Sequence, residues 1–587
     1  MKRKNIYFLL LSIIGCILTT ACSDLTDDEG SQTGSGAAGF LSLQVNLEDV
    51  NATKAAGTSE GIGAESNFYG LQLIFYYKGV AVKSHHYQAL NIWGDFQDLD
   101  DSGITYNPST KVLTIPPIAV EKKSYTVIAL LNSVLTISST QMSAKFPYTG
   151  KDYHGLMQTV GHSYSLLTDP VNIYTSFDSD AFNAAKGTDY LFWADGNGAV
   201  FPNEYTDLAN SYFLMTNANG PLQVNINDIK ETASAAAAAP VALPVERAVA
   251  KVGLFKGSNL SKKTENATTV YNGLSKVGTR ITEPVWATDI LNLRTYLIRR
   301  PALTNNLTAE TANTDAANRY AEDPNFTDIS REKPGSTGND ERATHFFYLP
   351  KKANGGDAYL TRNWIPVNIP VSDYTAIDDT YPKYYQYVTE NTMAADEQYE
   401  DVTTRIVLKC QYVPAGFNLN DSYYYYRGYA FSHALLLQYR ADPSLIPVDT
   451  YPELADLAGV LADLEVRETF WPGSETIEPL RSSVDPNNPP LPPTESVTKK
   501  GLTYYKYGES YYAIPIRHFD DTESSALMGY GRYGVVRNNV YRVVINDVRG
   551  PGHIDIPDPE GPDDKEGALD VYYQVTPWRV KNLHFDF

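Results

Sequence analysis

Leu41-Ser42-Leu43-Gln44-Val45-Asn46-Leu47-Glu48 alternates apolar and polar residues without a break. A period of two is the mark of a β-strand with one buried face. The pattern returns near the other end of the chain, where Leu569, Val571, Tyr573 and Val575 fall on one face and Asp570, Tyr572, Gln574 and Thr576 on the other. Pro577-Trp578-Arg579-Val580 follows, and then Leu583, Phe585 and Phe587, apolar at alternate positions where termini are usually polar and frayed. Two strands of matching length, each with one apolar face, therefore stand at opposite ends of 587 residues.

The intervening sequence is also β-leaning. Tyr occurs 43 times, with 40 Gly and 34 Pro, a mixture that suits pleated, half-buried surfaces joined by turns. Leu71, Leu73, Phe75 and Tyr77 alternate with Gln72, Ile74, Tyr76 and Lys78, and Lys78-Gly79 turns the chain into a hairpin partner from Val80. Further strands are expected at 112–115, 125–131, 245–255, 406–412 and 540–545. Pro452, with Leu454, Leu457, Leu461 and Leu464, predicts an amphipathic helix over 452–467 packed on a sheet. Five Ala at 235–239 with Pro240 and Pro244 suggest a domain boundary near 240. Pro-rich 485–493 reads as a surface loop, and acidic, Pro-rich 551–567 as an extended spacer.

Lys2, Arg3 and Lys4 followed by an apolar run from Ile6 to Ala21 make a secretory leader. The run is shorter than the roughly 20 residues of a membrane-spanning helix. Its end, Leu18-Thr19-Thr20-Ala21-Cys22, resembles a lipoprotein lipobox with Cys22 as the lipidated residue, although Thr19 stands where Leu is usual. Ile13-Ile14-Gly15-Cys16 fits the box letter for letter but leaves an apolar core of only about eight residues. With Cys16 and Cys22 in the leader region, Cys410 has no disulfide partner.

The formal charge is −21, or −24 without the three leader cations (45 basic against 69 acidic residues). Nucleic acid is excluded as a partner, since phosphate binding needs a basic face. Gly529-Tyr530-Gly531-Arg532-Tyr533-Gly534 spells a dinucleotide fingerprint, but the strand-like sequence after it denies the helix that such a site requires. Asp195-Gly196-Asn197-Gly198 lacks the later ligands of a calcium loop. His85-His86, His345, His433 and His518 have no metal-site spacing. No catalytic residue, metal or cofactor is indicated. Tyr384-Tyr385-Gln386-Tyr387, Tyr423 to Tyr426 and Tyr504-Tyr505-Lys506-Tyr507 could form a sugar-stacking platform, or the face of a sandwich.

Around the first strand the sequence suggests removal. Ser/Gly-rich 31–39 precedes it, and Asn51-Ala52-Thr53-Lys54-Ala55-Ala56-Gly57-Thr58 follows, small and flexible around one cation, as an accessible site for a trypsin-like protease would be. Cleavage between Lys54 and Ala55 would separate the strand from the body. If strand 41–47 lies at a sheet edge, its loss opens a groove that another copy's C-terminal strand could enter, giving a head-to-tail polymer. The other reading of the periodicity keeps both strands in their own chain.

Tyr533-Gly534-Val535-Val536-Arg537-Asn538-Asn539-Val540-Tyr541 and Val575-Thr576-Pro577-Trp578-Arg579-Val580, separated by the acidic spacer, resemble the fimbrillins of Bacteroidetes type V pili, in particular the major subunit of the minor (short) fimbria. Val245-Glu246-Arg247-Ala248-Val249-Ala250-Lys251 resembles the opening of that family's second domain, and Tyr125 to Asn132 a first-domain strand. The resemblance implies two tandem transthyretin-like β-sandwiches, lipoprotein export with a palmitate-type anchor in the outer membrane, proteolytic trimming, and assembly through a neighbour's C-terminal strand. It also implies accessory anchor and tip subunits and a role in adhesion or biofilm formation. Its best-known members are cut after Arg, where this chain has Lys54.

The expected layout is thus a leader at 1–21, a lipidated propeptide at 22–54 with removable strand residues Leu41, Leu43, Val45 and Leu47, and sandwiches at 55–240 and 241–550. A spacer at 551–567 and a donor segment at 568–587, carrying Leu569, Val571, Tyr573, Val575 and Trp578, complete it. A surface glycan-binding lipoprotein and a fimbrial tip or anchor component are the alternatives.

Overall fold

The computed structural model describes residues 38–47, 59–60, 67–145 and 170–172 with breaks, 215–257, 269–301 and 320–400 with breaks, 401–463, 496–518, 532–557, 569–579 and 584–585. It is mostly β, with several sheets and a few short helices. The expected loop at 485–493 and the stretch Asp195-Gly196-Asn197-Gly198 lie outside the described residues, as do Gly529 to Gly531 and His345.

The first unit is built from β1 (Ala38–Asn46), β2 (Gly70–Tyr77), β3 (Val80–Gln88), β4 (Thr105–Asn107), β5 (Val112–Glu121), β6 (Tyr125–Leu131), β7 (Met215–Asn217) and β8 (Val241–Arg247). Their hydrogen-bonded order is β3-β2-β6-β7-β8-β1-β5-β4. Lys78, at φ 49, closes the β2–β3 hairpin as its turn chemistry predicts. β8 joins two layers: Val241 to Pro244 pair with β1, and Val245 to Arg247 pair with β7. The layers face each other across one core, with Leu41, Leu43, Val45, Leu113 and Ile115 from one and Leu71, Leu73, Phe75, Val127 and Leu131 from the other. The Asn217 side chain stitches β6 into this arrangement, accepting from Ala129 N at 2.8 Å and donating to Val127 O at 3.1 Å.

The remainder follows from β9 (Val249–Lys256), β10 (Arg280–Asp289), β11 (Tyr385–Thr389), β12 (Arg405–Val413), β13 (Tyr423–Tyr426), β14 (Tyr429–Phe431), β15 (Leu502–Tyr505), β16 (Glu509–Pro515), β17 (Asn539–Val548) and β18 (Leu569–Arg579). One sheet carries β18-β17-β9-β11, a second centres on β14-β13-β15, and a third contains β10-β12-β16.

Four expectations change. The strand expected over 245–255 is two strands, split at Ala248 between different sheets. The Ala-rich stretch, expected only to mark a boundary, carries a helix. Residues Ala233–Ala237 form helix α1, capped by Thr232 Oγ1 accepting from Ala235 N, and Ala236 is buried. The helix expected over 452–467 is a 3-10 turn at Pro452–Leu454 followed by a helix at Leu457–Asp463, with Leu454, Leu457 and Leu461 buried on the tyrosine-rich sheet. The first half of the spacer packs: His553 and Tyr511 exchange backbone hydrogen bonds, Ile556 is buried, and Arg405 Nη2 donates to Pro557 O at 2.7 Å.

Candidate strand-exchange site

β1 occupies the interior of its sheet, not the edge position on which the groove expected from sequence depends. β5 runs antiparallel along its whole length, from Ala38↔Glu121 to Asn46↔Val112, with a bulge between Leu41 and Leu43. On the other side β8 runs parallel beside Leu43 to Asn46. Where β8 has not yet begun, Lys230 takes its place, with Phe40 N donating to Lys230 O at 2.8 Å and Lys230 N to Phe40 O at 2.9 Å.

The predicted face is the buried one: Leu41, Leu43 and Val45 are 0% exposed and Leu47 3%. The opposite face is partly covered as well. Ser42 is buried, and its hydroxyl donates to Ile115 O at 2.7 Å; α1 lies against both β1 and β5. Withdrawing β1 would therefore leave a channel with unpaired backbone groups on both walls, a larger deficit than a lost edge strand leaves.

β18 stands in a different position. It pairs antiparallel with β17 from Asn539↔Pro577 to Val548↔Leu569, with a slip between Ile545 and Asp547. Val571, Tyr573 and Val575 stand opposite Ile545, Val543 and Tyr541, which are all buried. On its other side Ser59–Glu60 pairs only with Trp578 and Arg579, at the strand's end. Beyond it His584–Phe585 pairs with Asn67–Phe68. The C-terminal strand is thus seated in its own chain with one full-length neighbour and the two-residue strand Ser59–Glu60 at its outer side, while the N-terminal strand is enclosed. Cys16, Cys22, Lys54 and Ala55 lie outside the described residues.

The tyrosine clusters are interior. Tyr385, Tyr387, Tyr423, Tyr424, Tyr426, Tyr504 and Tyr505 are each at most 5% exposed, and Tyr423 stacks on Tyr505 with ring centroids 5.3 Å apart. Burial pushes the Tyr424 and Tyr505 phenols above their ordinary pKa. Among the described members Tyr425 is half-buried and Tyr507, at 54%, exposed, while Tyr384 lies outside the described residues. Cys410 is buried on β12, and burial raises its thiol pKa. His518 Nδ1 meets Tyr541 Oη at 2.7 Å, and His433 Nδ1 meets Tyr424 Oη at 2.9 Å. Among the described residues no group of three or more potential ligands could hold a metal ion, and no helix is long and apolar enough to cross a membrane.

Sequence reasoning missed the parts of the site that act through the backbone. Lys230 completes the wall beside Phe40, and the short helix after it lies over the strand. The Thr232 cap was the readable signal for that helix.

Residues 503–583 match the family model described as major fimbrial subunit protein type IV, fimbrillin, C-terminal. That span includes β16, β17 and β18 and both C-terminal motifs that carried the fimbrillin resemblance. A search of curated proteins finds no match. Among solved structures, the chain is similar to a fimbrilin from Porphyromonas gingivalis at 12% identity, covering 93% of this chain and 99% of that one, with a TM-score of 0.34. It is similar to the tip fimbrial protein of Porphyromonas gingivalis with a C-terminal truncation at 9% identity, 92% and 100% coverage and a TM-score of 0.34. A fimbrial assembly protein from Parabacteroides distasonis is similar at 11% identity, 65% and 87% coverage and a TM-score of 0.23. Scores of this size do not establish a common topology.

Proposed function

We propose that the chain is a non-enzymatic structural subunit of a cell-surface fimbrium. It is exported as a lipoprotein anchored to the outer membrane through Cys22, trimmed between Lys54 and Ala55 by a trypsin-like protease, and polymerised head to tail by donor-strand exchange. One observation carries the reading: an interior strand, its apolar face buried and walled on both sides, is supplied by the segment upstream of Lys54. Proteolysis can create the acceptor channel without touching the body of the domain. The donor is the strand carrying Leu569, Val571, Tyr573 and Val575. It is held by one full-length neighbour and joined to the body through the acidic spacer. The fimbrillin match at 503–583 supports the same reading. Its partners are other copies of itself, with anchor and tip subunits at the ends of the shaft and a surface receptor in adhesion or biofilm formation. Burial of Tyr385, Tyr387, Tyr423, Tyr424, Tyr426, Tyr504 and Tyr505 favours this reading over a glycan-binding lipoprotein, which would need those rings on its surface.

The test takes residues 23–587, which lack Cys22, treats them briefly with a Lys-specific protease, and runs the product unheated on a denaturing gel. A ladder that needs the cut at Lys54, collapses on boiling and is absent from a chain ending at Glu566 is expected. A monomer under every condition would refute strand exchange.

A further inference from the structure

At Gly39 the backbone of β1 passes tightly against Ile229–Lys230. A Cβ built there overlaps Ile229 Cγ2 and comes within 3.1 Å of Lys230 O and 3.2 Å of Lys122 Cγ. Ile229 belongs to the core, so its side chain has little freedom to retreat, and an incoming strand that restores the two backbone hydrogen bonds Phe40 makes with Lys230 must pass equally close. A strand that keeps the backbone path of β1 has room here for a glycine, and any other residue displaces Ile229. In β1 the glycine precedes by two residues the apolar face Leu41, Leu43, Val45, Leu47. The C-terminal segment has the same spacing: Gly567, then Leu569, Val571, Tyr573, Val575.

We propose that the C-terminal strand of a second copy enters the channel in the direction of β1, with Gly567 in the place of Gly39 and Leu569, Val571, Tyr573 and Val575 in those of Leu41, Leu43, Val45 and Leu47. This rests on the strand-exchange reading and adds the direction, the register and the residue that sets both. The incoming strand then runs antiparallel to β5 and parallel to β8, as β1 does. A slip of two residues would set Lys565 or Leu569 against Ile229. Reversed entry with Val575 at the place of Leu41 would set Pro577 there. In the proposed register Gln574 takes the place of Asn46, the last paired residue of β1. Pro577, which has no N–H to give a ladder, falls three positions beyond.

Two positions fit less well. Asp570 takes the place of Ser42, whose hydroxyl donates to Ile115 O, and an ionised carboxylate has no proton to offer there. Tyr573 brings a ring where Val45 packs in a row with Leu243 and Leu113. A joint formed in this register should therefore open more slowly after Asp570→Ser.

The register is tested by disulfide mapping in the full-length Cys22→Ser protein after the Lys54 cut. Tyr572 would replace Gln44, which stands opposite Thr114. Tyr572→Cys with Thr114→Cys should give, on oxidation, a ladder that survives boiling without reductant, while Gln574→Cys with Thr114→Cys should not. Gly567→Val should slow ladder formation about tenfold or more, the scale of overpacking a closed site. Cross-linking through residue 574 in place of 572, no cross-link from either pair while the unboiled ladder still forms, or a Gly567→Val protein that assembles at the parental rate would each overturn the register and leave strand exchange standing. Absence of any unboiled ladder from the unsubstituted protein would instead remove strand exchange, and the register with it.

Discussion

A chain ending at Glu566, cut after Lys54 and freed of the 23–54 fragment, is expected to lose the fold of its first unit at room temperature. β1 and the residue after it contribute four side chains, Leu41, Leu43, Val45 and Leu47, that are at most 3% exposed. At about 1.5–3 kcal/mol each they represent roughly 6–12 kcal/mol of burial, against a whole-domain stability of about 5–15 kcal/mol. The strand's departure also leaves both β5 and β8 with unpaired backbone groups on the same channel. Circular dichroism and limited proteolysis should show the uncut truncated chain folded and the cut one with residues 70–131 digestible. The cut full-length protein should be rescued in polymers, where a neighbour's strand replaces β1. Equal melting of cut and uncut truncated chains would show that β1 is not needed for the first core.

Glu390→Ala is expected to destabilise the protein by about 3–5 kcal/mol, the scale of stranding a buried charge. Glu390 and Arg537 both have fully buried side chains. Arg537 Nη2 donates to Glu390 Oε1 at 3.0 Å and to Tyr296 O at 2.7 Å, and Arg537 N donates to Glu390 Oε2 at 3.2 Å. The pair ties the loop ahead of β17 to the end of β11. Urea denaturation should register the loss. Glu390→Leu combined with Arg537→Met should recover most of it, because removing both charges leaves none unpaired. A single substitution with an unchanged midpoint would show that water reaches the guanidinium.

Much of this fold is written in local periodicity. The β2–β3 hairpin, β5, β6, β12 and β17 all follow from alternation or apolar runs. So does the choice of Leu41, Leu43, Val45 and Leu47 as the inward face of β1. Alternation states which face is buried but not which strands flank it. Ser42 bonds to Ile115 across 73 residues of sequence, and β8 lies farther along still, so the interior position of β1 was beyond its reach. The Ala-rich helix was hidden because alanine carries little hydrophobic signal, although its small side chain lets a helix lie close on a strand. Tyrosine composition was equally silent about burial, since the same ring serves a core or a surface. The docking of Pro551 to Pro557 depends mainly on backbone carbonyls and amides, which composition does not register.

Ala248 alone separates β8, the parallel wall of the channel, from β9, which lies parallel to β17 from Lys251↔Val540 to Lys256↔Ile545. In a filament joined as proposed, tension entering through a donated strand would pass into β8, along β9, across that ladder into β17, and out through the spacer to the chain's own donor. Pulling the start of β9 against the end of β17 loads the ladder along its length, so its hydrogen bonds share the force instead of opening one at a time. Stretching single filaments should find subunits that resist to high force, and Val252→Pro, which removes a ladder N–H from β9 and strains the strand, should lower that force. The single-residue join that ends one sheet and begins the next would then also be the point through which each subunit bears the mechanical load of the shaft.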